Sequence, residues 1–191
     1  MGVSSKIRTN SSKPETSSGV VLSGQAPSRQ GGDQSPVQPA AGRALKISGR
    51  APAIRSGAFD LAKLHGKRVV IFFYPKSDTP GCTKEACEFR DASKQFAKAN
   101  AEIVGISPDK SEAQQKFAAK YSLPFTFVPD PDHSIAEAYG VWKEKSMYGR
   151  KYMGIERSTF VIGADGKVEK IFAKVKPEGH AAEVLEALAV P

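Results

Sequence analysis

Two hydrophobic rhythms run along this chain. From Val69 to Tyr74 the residues are continuously apolar or aromatic, the pattern of a strand buried on both faces. Pro80 to about Ala99 changes period. Cys87, Phe89, Arg90, Phe96 and Ala97 fall roughly on helical spacing, which predicts a helix. Ile103–Ile106 predicts a second buried strand, and Ser107–Ser111 a turn with capping residues. Glu112–Tyr121 predicts a helix anchored by Phe117. Phe125–Val128 reads as a third strand, and Ser134–Tyr139 as a short helix that Gly140 ends. Ser158–Ile162 and Val168–Ala173 flank Gly163-Ala164-Asp165-Gly166, a β-hairpin around a Gly-containing turn. Glu178–Val190 closes the chain as an amphipathic helix with Val184, Leu185 and Leu188 on one side. Upstream, Ala51–Ile54 predicts a short edge strand, and Phe59–Leu64 one helical turn stopped by His65-Gly66. Strands alternating with helices, then a hairpin and a helix, describe an α/β layered domain with a mixed sheet.

Residues 1–43 follow neither rhythm. All 16 aromatic residues lie beyond them. The segment is rich in Ser, Gly, Pro and Gln, with five basic residues against Glu15 and Asp33. Such a composition buries too little apolar area to offset ordering entropy, so a disordered tail is expected, with the folded domain at 44–191. Being Ser-rich and acid-poor, it also fits an organelle transit peptide, although the amphipathic Arg pattern is missing. The net charge of +8 is spread among acids rather than clustered, so nucleic-acid binding is not the expected activity. No apolar stretch approaches membrane-spanning length. Two cysteines in 191 residues do not form a secreted disulfide scaffold. A reducing, cytoplasmic setting is the expectation, and there two close cysteines point to redox or metal chemistry.

The stretch Y-P-K-S-D-T-P-G-C-T-K-E-A-C-E-F-R-D, Tyr74 to Asp91, carries both cysteines, Cys82 and Cys87. Pro80 and Gly81 suit a tight turn and the first turn of a helix. Cys82 then sits among free N–H groups at the positive end of the helix dipole, which stabilises a thiolate. A buried, inert cysteine is the alternative. Cys87, five residues on, lies about 140° around and about 7.5 Å along a regular helix. The Cα atoms are then roughly 8–9 Å apart, beyond the roughly 7 Å reach of a disulfide, so bridging requires local unwinding. Zinc is disfavoured, because His65, His133 and His180 lack paired ligand spacing. The spacing is also not Cys-x-x-Cys, which weakens a dithiol-exchange reading.

F-F-Y-P-K-S-D-T-P-G-C-T-K-E-A-C-E-F-R-D resembles the active-site motif of atypical two-cysteine peroxiredoxins, specifically the bacterioferritin comigratory protein or peroxiredoxin Q group. Pro75, Thr79 and Cys82 match the family spacing. G-I-S-P-D, D-P-D-H-S-I-A-E-A-Y-G-V-W, G-I-E-R-S-T-F-V-I and A-D-G-K-V follow in family order, over roughly residues 47–190. The segment between Ala51-Pro52 and Gly66 is shorter than the family pattern, so its N-terminal hairpin is expected to be short or absent.

The resemblance implies a thioredoxin-like fold, a mixed central sheet flanked by helices. It implies a peroxidase without metal, flavin or heme. Cys82 would be the peroxidatic cysteine, attacking hydrogen peroxide or an organic hydroperoxide to give a sulfenic acid. Thr79 would hydrogen-bond thiolate and peroxide, Arg157 would hold the thiolate, and Pro75 would shield the pocket. Cys87 would resolve the sulfenic acid to a Cys82–Cys87 disulfide. Thioredoxin or a similar dithiol reductant would then reduce it, with the protein a monomer. Trp142 reads as core or groove lining, and His133 carries no role.

Overall fold

The structure, a computed structural model, describes residues 45–189. The segment expected to be a tail therefore lies outside the described residues. In chain order the elements are β1 (Arg55–Ser56), β2 (Phe59–Asp60), β3 (Arg68–Phe73), α1 (Pro80–Asp91), α2 (Ser93–Lys98), β4 (Ala101–Ser107), α3 (Ser111–Tyr121) and β5 (Thr126–Pro129). They continue with α4 (Ser134–Ala138), β6 (Trp142–Met147), β7 (Arg150–Ile155), β8 (Ser158–Ile162), β9 (Val168–Ala173) and α5 (His180–Ala189).

The central sheet has the order β5-β4-β3-β8-β9. β3 pairs parallel with β4 and antiparallel with β8, so the sheet is mixed and β3 is its middle strand. That position explains the unbroken apolar run. Val70, Phe72 and Tyr74 point into one core with Phe89 of α1, Phe96 of α2, Phe117 of α3 and Val184 of α5. Val69, Ile71 and Phe73 point into a second core with Ile54, Tyr139 and Phe160. Burying a side chain of this size contributes roughly 1.5–3 kcal/mol, so a strand packed on both faces anchors both layers. Gly105 on β4 lets the aromatic rings close up. A Cβ there would lie 2.7 Å from Phe72 Cζ and 2.8 Å from Phe127 Cε1.

Several element boundaries differ from those expected. Ala51–Ile54 is not a strand. Arg50 makes one bridge to Lys167, and the edge pairing is the two-residue hairpin of β1 and β2. Phe59-Asp60 belongs to β2, and only Leu61–Leu64 forms a helical turn, a 3-10 turn on which the Asp60 carboxylate accepts from Ala62 N at 3.0 Å. The helix expected over Pro80–Ala99 divides at Ala92, and α5 starts at His180 rather than Glu178.

The hairpin β6–β7 has no counterpart in the hydrophobic pattern. Its tip, Tyr148-Gly149, has positive φ at both residues (53° and 76°), as a two-residue hairpin turn of this kind requires. Trp142 at its root stacks on His133 with ring centroids 3.7 Å apart. Among the described residues, no helix is long and apolar enough to cross a membrane.

Candidate active site

The loop after β3 and the start of α1 present Cys82 at the C-terminal end of the central strand. Thr79 is the N-cap of α1, in extended conformation, and Pro80 opens the helix with no N–H to lose. The first intrahelical bond runs from Thr83 N to Thr79 O at 2.8 Å. Cys82 thus lies in the first turn, where backbone N–H groups have no carbonyl four residues back. Its side chain is 1% exposed, in the core that contains Phe72 and Phe89.

Arg157, in the two-residue link between β7 and β8, reaches this sulfur. Its Nη2 donates to Cys82 Sγ at 3.2 Å. The antiparallel register brings them together. Ser158 pairs with Phe73, so the residue before β8 stands beside the loop that leaves β3. Arg157 Nη1 donates to Glu85 Oε2, an ion pair within the fold. Glu85 is 0% exposed, and among the described residues its Oε1 has no hydrogen-bond partner. Burial pushes its carboxyl up to about 7, against the pull of Arg157. Burial also works against the guanidinium charge, but Glu85 and the Cys82 sulfur outweigh it and keep Arg157 protonated. The two partners pull opposite ways because only the arginine has company on both arms. The carboxylate is fully buried, and among the described residues one of its oxygens has no partner.

The loop that carries Thr79 is tied down from α3 and from the turn before it. Ser77 N donates to Asp109 Oδ2 at 2.6 Å, and Tyr74 Oη contacts Ser77 Oγ at 3.2 Å. Asp78, with φ of 58°, accepts from Lys120 Nζ at 2.8 Å and Tyr121 Oη at 2.6 Å. Burial pushes the Tyr74 phenol up to about 12, so it serves as a hydrogen-bonding group and not as an acid at neutral pH. The Thr79 hydroxyl donates to Lys76 O at 3.0 Å. A carbonyl only accepts, so the hydroxyl proton is engaged there and its lone pairs remain for a donor. Pro75 is exposed at the head of the loop.

Of the residues singled out in the sequence, Cys82 and Arg157 are in direct contact, and Thr79 stands at the N-cap position of the helix that carries Cys82, its hydroxyl turned to Lys76 O and making no side-chain cap. Pro75 has only its place in the loop. Cys87 is half-buried further along α1, and both cysteines are free. Glu85 was not anticipated. The sequence held one signal for it: position i+3 from Cys82, on the stripe shared with buried Phe89, where a carboxylate needs a cation. Among the described residues, no three His, Cys, Asp or Glu side chains gather as a metal site.

Comparison with known proteins gives a consistent picture. Residues 46–171 match the AhpC/TSA family. The chain is 48% identical over 137 residues to a putative peroxiredoxin Bcp of Coxiella burnetii, covering 72% of this chain and 91% of that one. It is 50% identical over 128 residues to peroxiredoxin Bcp of Bacillus subtilis, covering 67% and 82%. Among solved structures, Xanthomonas campestris bacterioferritin comigratory protein, reported for its alkyl peroxide reduction activity, is 43% identical. It superposes with a TM-score of 0.66 over 68% of this chain and 83% of that one.

Proposed function

The chain belongs to the AhpC/TSA family, in its Bcp and peroxiredoxin Q group of peroxidases, and from that premise we propose that Cys82 is the peroxidatic cysteine and Cys87 its resolving partner. The contact of Arg157 Nη2 with Cys82 Sγ at 3.2 Å, in the first turn of α1, carries the reading. A fixed cation and free helix N–H groups favour the thiolate, which is the nucleophile. Its substrates are hydrogen peroxide and small organic hydroperoxides. The alkyl peroxide reduction reported for the X. campestris relative supports the second class.

The thiolate sulfur attacks one peroxide oxygen. An S–O bond forms, the O–O bond breaks, and the departing oxygen takes up the proton shed when the thiol ionised. Cys82 becomes a sulfenic acid, and the peroxide leaves as water or an alcohol. Arg157 balances charge on both sides of this exchange. The Thr79 lone pairs accept from the peroxide O–H and aim it. Pro75 helps shape the loop that shields the reacting atoms.

Cys87 then condenses with the sulfenic acid to an intramolecular disulfide, with loss of water. Both cysteines lie in one α-helix, where a five-residue separation leaves Cα atoms roughly 8–9 Å apart, so this step follows local unwinding of α1. Thioredoxin or a similar dithiol reductant restores the thiols. The cycle needs two cysteines of one chain, so a monomer suffices. Its need for re-reduction fits a cytoplasmic setting.

Intact-mass measurement after one equivalent of peroxide tests the reading. The expected product is a monomer lighter by two hydrogens. Cys82→Ser should abolish turnover. Cys87→Ser should consume one equivalent and then stop. Continued thioredoxin-linked turnover by Cys87→Ser would remove Cys87 from the cycle.

A further inference from the structure

The connection between β9 and α5 runs across the helix that carries both cysteines and is fastened to it repeatedly. Lys174, at its start, has φ of 54°, and Gly179, at its end, has φ of 73°. Between these bends, Val175 N donates to Arg157 O at 2.9 Å. Pro177 packs on Gly81, where a Cβ would lie 3.3 Å from Pro177 Cγ. Glu178 Oε1 accepts from Lys84 Nζ at 2.6 Å. Gly179 N donates to Glu88 Oε1 at 3.1 Å.

The four α1 residues held from this side are Gly81, Lys84, Glu85 and Glu88, the last but one through Arg157. Their spacing of i, i+3, i+4 and i+7 is one stripe of a helix. The turn between Cys82 and Cys87 lies between the first tie and the last. Unwinding it strains or breaks the Lys84, Glu85 and Glu88 contacts. Arg90 Nη1, donating to Tyr121 O at 2.9 Å, fixes α1 from another side beyond Cys87 and leaves this turn as the segment to open.

We infer that residues 174–179 are a strap that holds the Cys82–Cys87 turn helical, and that Lys84 and Glu88, through it, set how fast the two sulfurs meet. This rests on the resolving role proposed for Cys87. Two reactions compete for the Cys82 sulfenic acid. In one, the Cys87 thiolate attacks the Cys82 sulfur, the S–S bond forms, the S–O bond breaks, and the oxygen leaves as water. Cys87 is oxidised and Cys82 is reduced relative to the sulfenic state. In the other, a second peroxide molecule oxidises the sulfenic acid to sulfinic acid and leaves as water or alcohol. The second needs no unwinding. A tighter strap therefore directs more of the sulfenic acid into the irreversible branch. Lys84 and Glu88 are positioning residues for the first branch and touch neither the sulfur nor the peroxide.

The full-length Lys84→Ala/Glu88→Ala variant tests this by rapid quench and mass analysis of sulfenic, disulfide and sulfinic forms. Alanine is the best helix former, so a faster opening could not come from a weaker helix. With two partly exposed charge-assisted ties removed, disulfide formation should accelerate about fivefold. The peroxide excess needed for sulfinic acid should rise by about the same factor, and Cys82 oxidation should stay within about twofold of the native rate. Reversing the pair, Lys84→Glu with Glu178→Lys, should bring disulfide formation back toward the native rate relative to Lys84→Glu alone. A native disulfide rate in the double-alanine variant overturns the strap and leaves the resolving role of Cys87 intact. If the native chain forms no Cys82–Cys87 disulfide, the assignment of Cys87 falls, and the strap with it.

Discussion

Arg157 reaches Cys82 across 75 residues of sequence, Nη2 to Sγ at 3.2 Å, while its Nη1 grips Glu85. Two donations from one planar group fix where the cation stands, so it cannot swing from the sulfur into solvent. Lysine keeps the charge but offers no such fork. In Arg157→Gln the second-order rate of Cys82 oxidation by peroxide should fall about a hundredfold, with Arg157→Lys recovering only part of it. Stopped-flow oxidation of the reduced protein measures both. A native rate in Arg157→Gln would exclude it from the chemistry.

Glu85 gives the fold a pH dependence of defined sign. Its carboxyl is raised from 4.5 to about 7, so the folded chain keeps a proton that the unfolded chain releases. The stability favouring its neutral form is fully present below pH 4.5 and lost as pH rises toward 7. Glu85→Gln cannot ionise. Relative to that variant, the native chain should lose roughly 3 kcal/mol between pH 4.5 and 7.5. Urea unfolding at both pH values checks it, and a constant difference would contradict it.

His180 acts in the opposite sense. Buried at the start of α5, it pairs Nε2 with Thr159 Oγ1 at 2.8 Å and Nδ1 with Glu183 Oε2 at 3.0 Å. Burial lowers its pKa from 6.5 despite Glu183. A base that is harder to charge when folded stabilises the fold fully above its unfolded pKa, and that contribution is lost as pH falls below it. The native chain should therefore weaken relative to His180→Gln between pH 7.5 and 5.5. This window overlaps that of Glu85 with opposite slope, so the native profile alone will look flatter than either contribution.

Gly105→Ala probes the close approach of aromatic rings. The added methyl would sit 2.7 Å from Phe72 Cζ in the core and 2.8 Å from Cε1 of Phe127, which is half-buried against it. Overpacking of this kind costs about 1–3 kcal/mol. For a domain of this size the expected fall in Tm is about 3–10 °C by differential scanning calorimetry. An unchanged Tm would mean that the rings move aside freely.

The parts of the fold that sequence made legible are those whose periodicity is enforced by burial. β3, buried on both faces, could only be a continuous apolar run, and the β8–β9 hairpin announced its Gly-containing turn. β6–β7 was silent because, among the described residues of its two strands, burial is complete only at the root, at Ile155. Elsewhere its strands carry Lys143, Glu144, Lys145, Arg150 and Lys151, which show no apolar period. In the candidate site, Cys82 was readable from the Pro80-Gly81 turn and the start of a helix. Arg157 entered only through family resemblance, because its contact comes from strand register, which is a property of the folded sheet. Glu85 and the strap were missed for the same reason. A buried carboxylate and a connecting segment are defined by what crosses them, and local pattern does not encode that.

The pairing of β8 with β3 has a consequence for when the thiol becomes reactive. Ser158 opposite Phe73 is the last rung of that ladder, and Arg157 follows from it directly. A slip of one residue would turn the neighbouring side chains to the opposite face of the sheet. Until those strands have zipped in register, Cys82 is an unassisted thiol in a chain that lacks its cation. A nascent or partly unfolded molecule therefore meets peroxide with no help from Arg157. On the role proposed for Cys82, its assisted reaction with peroxide waits for the sheet to assemble.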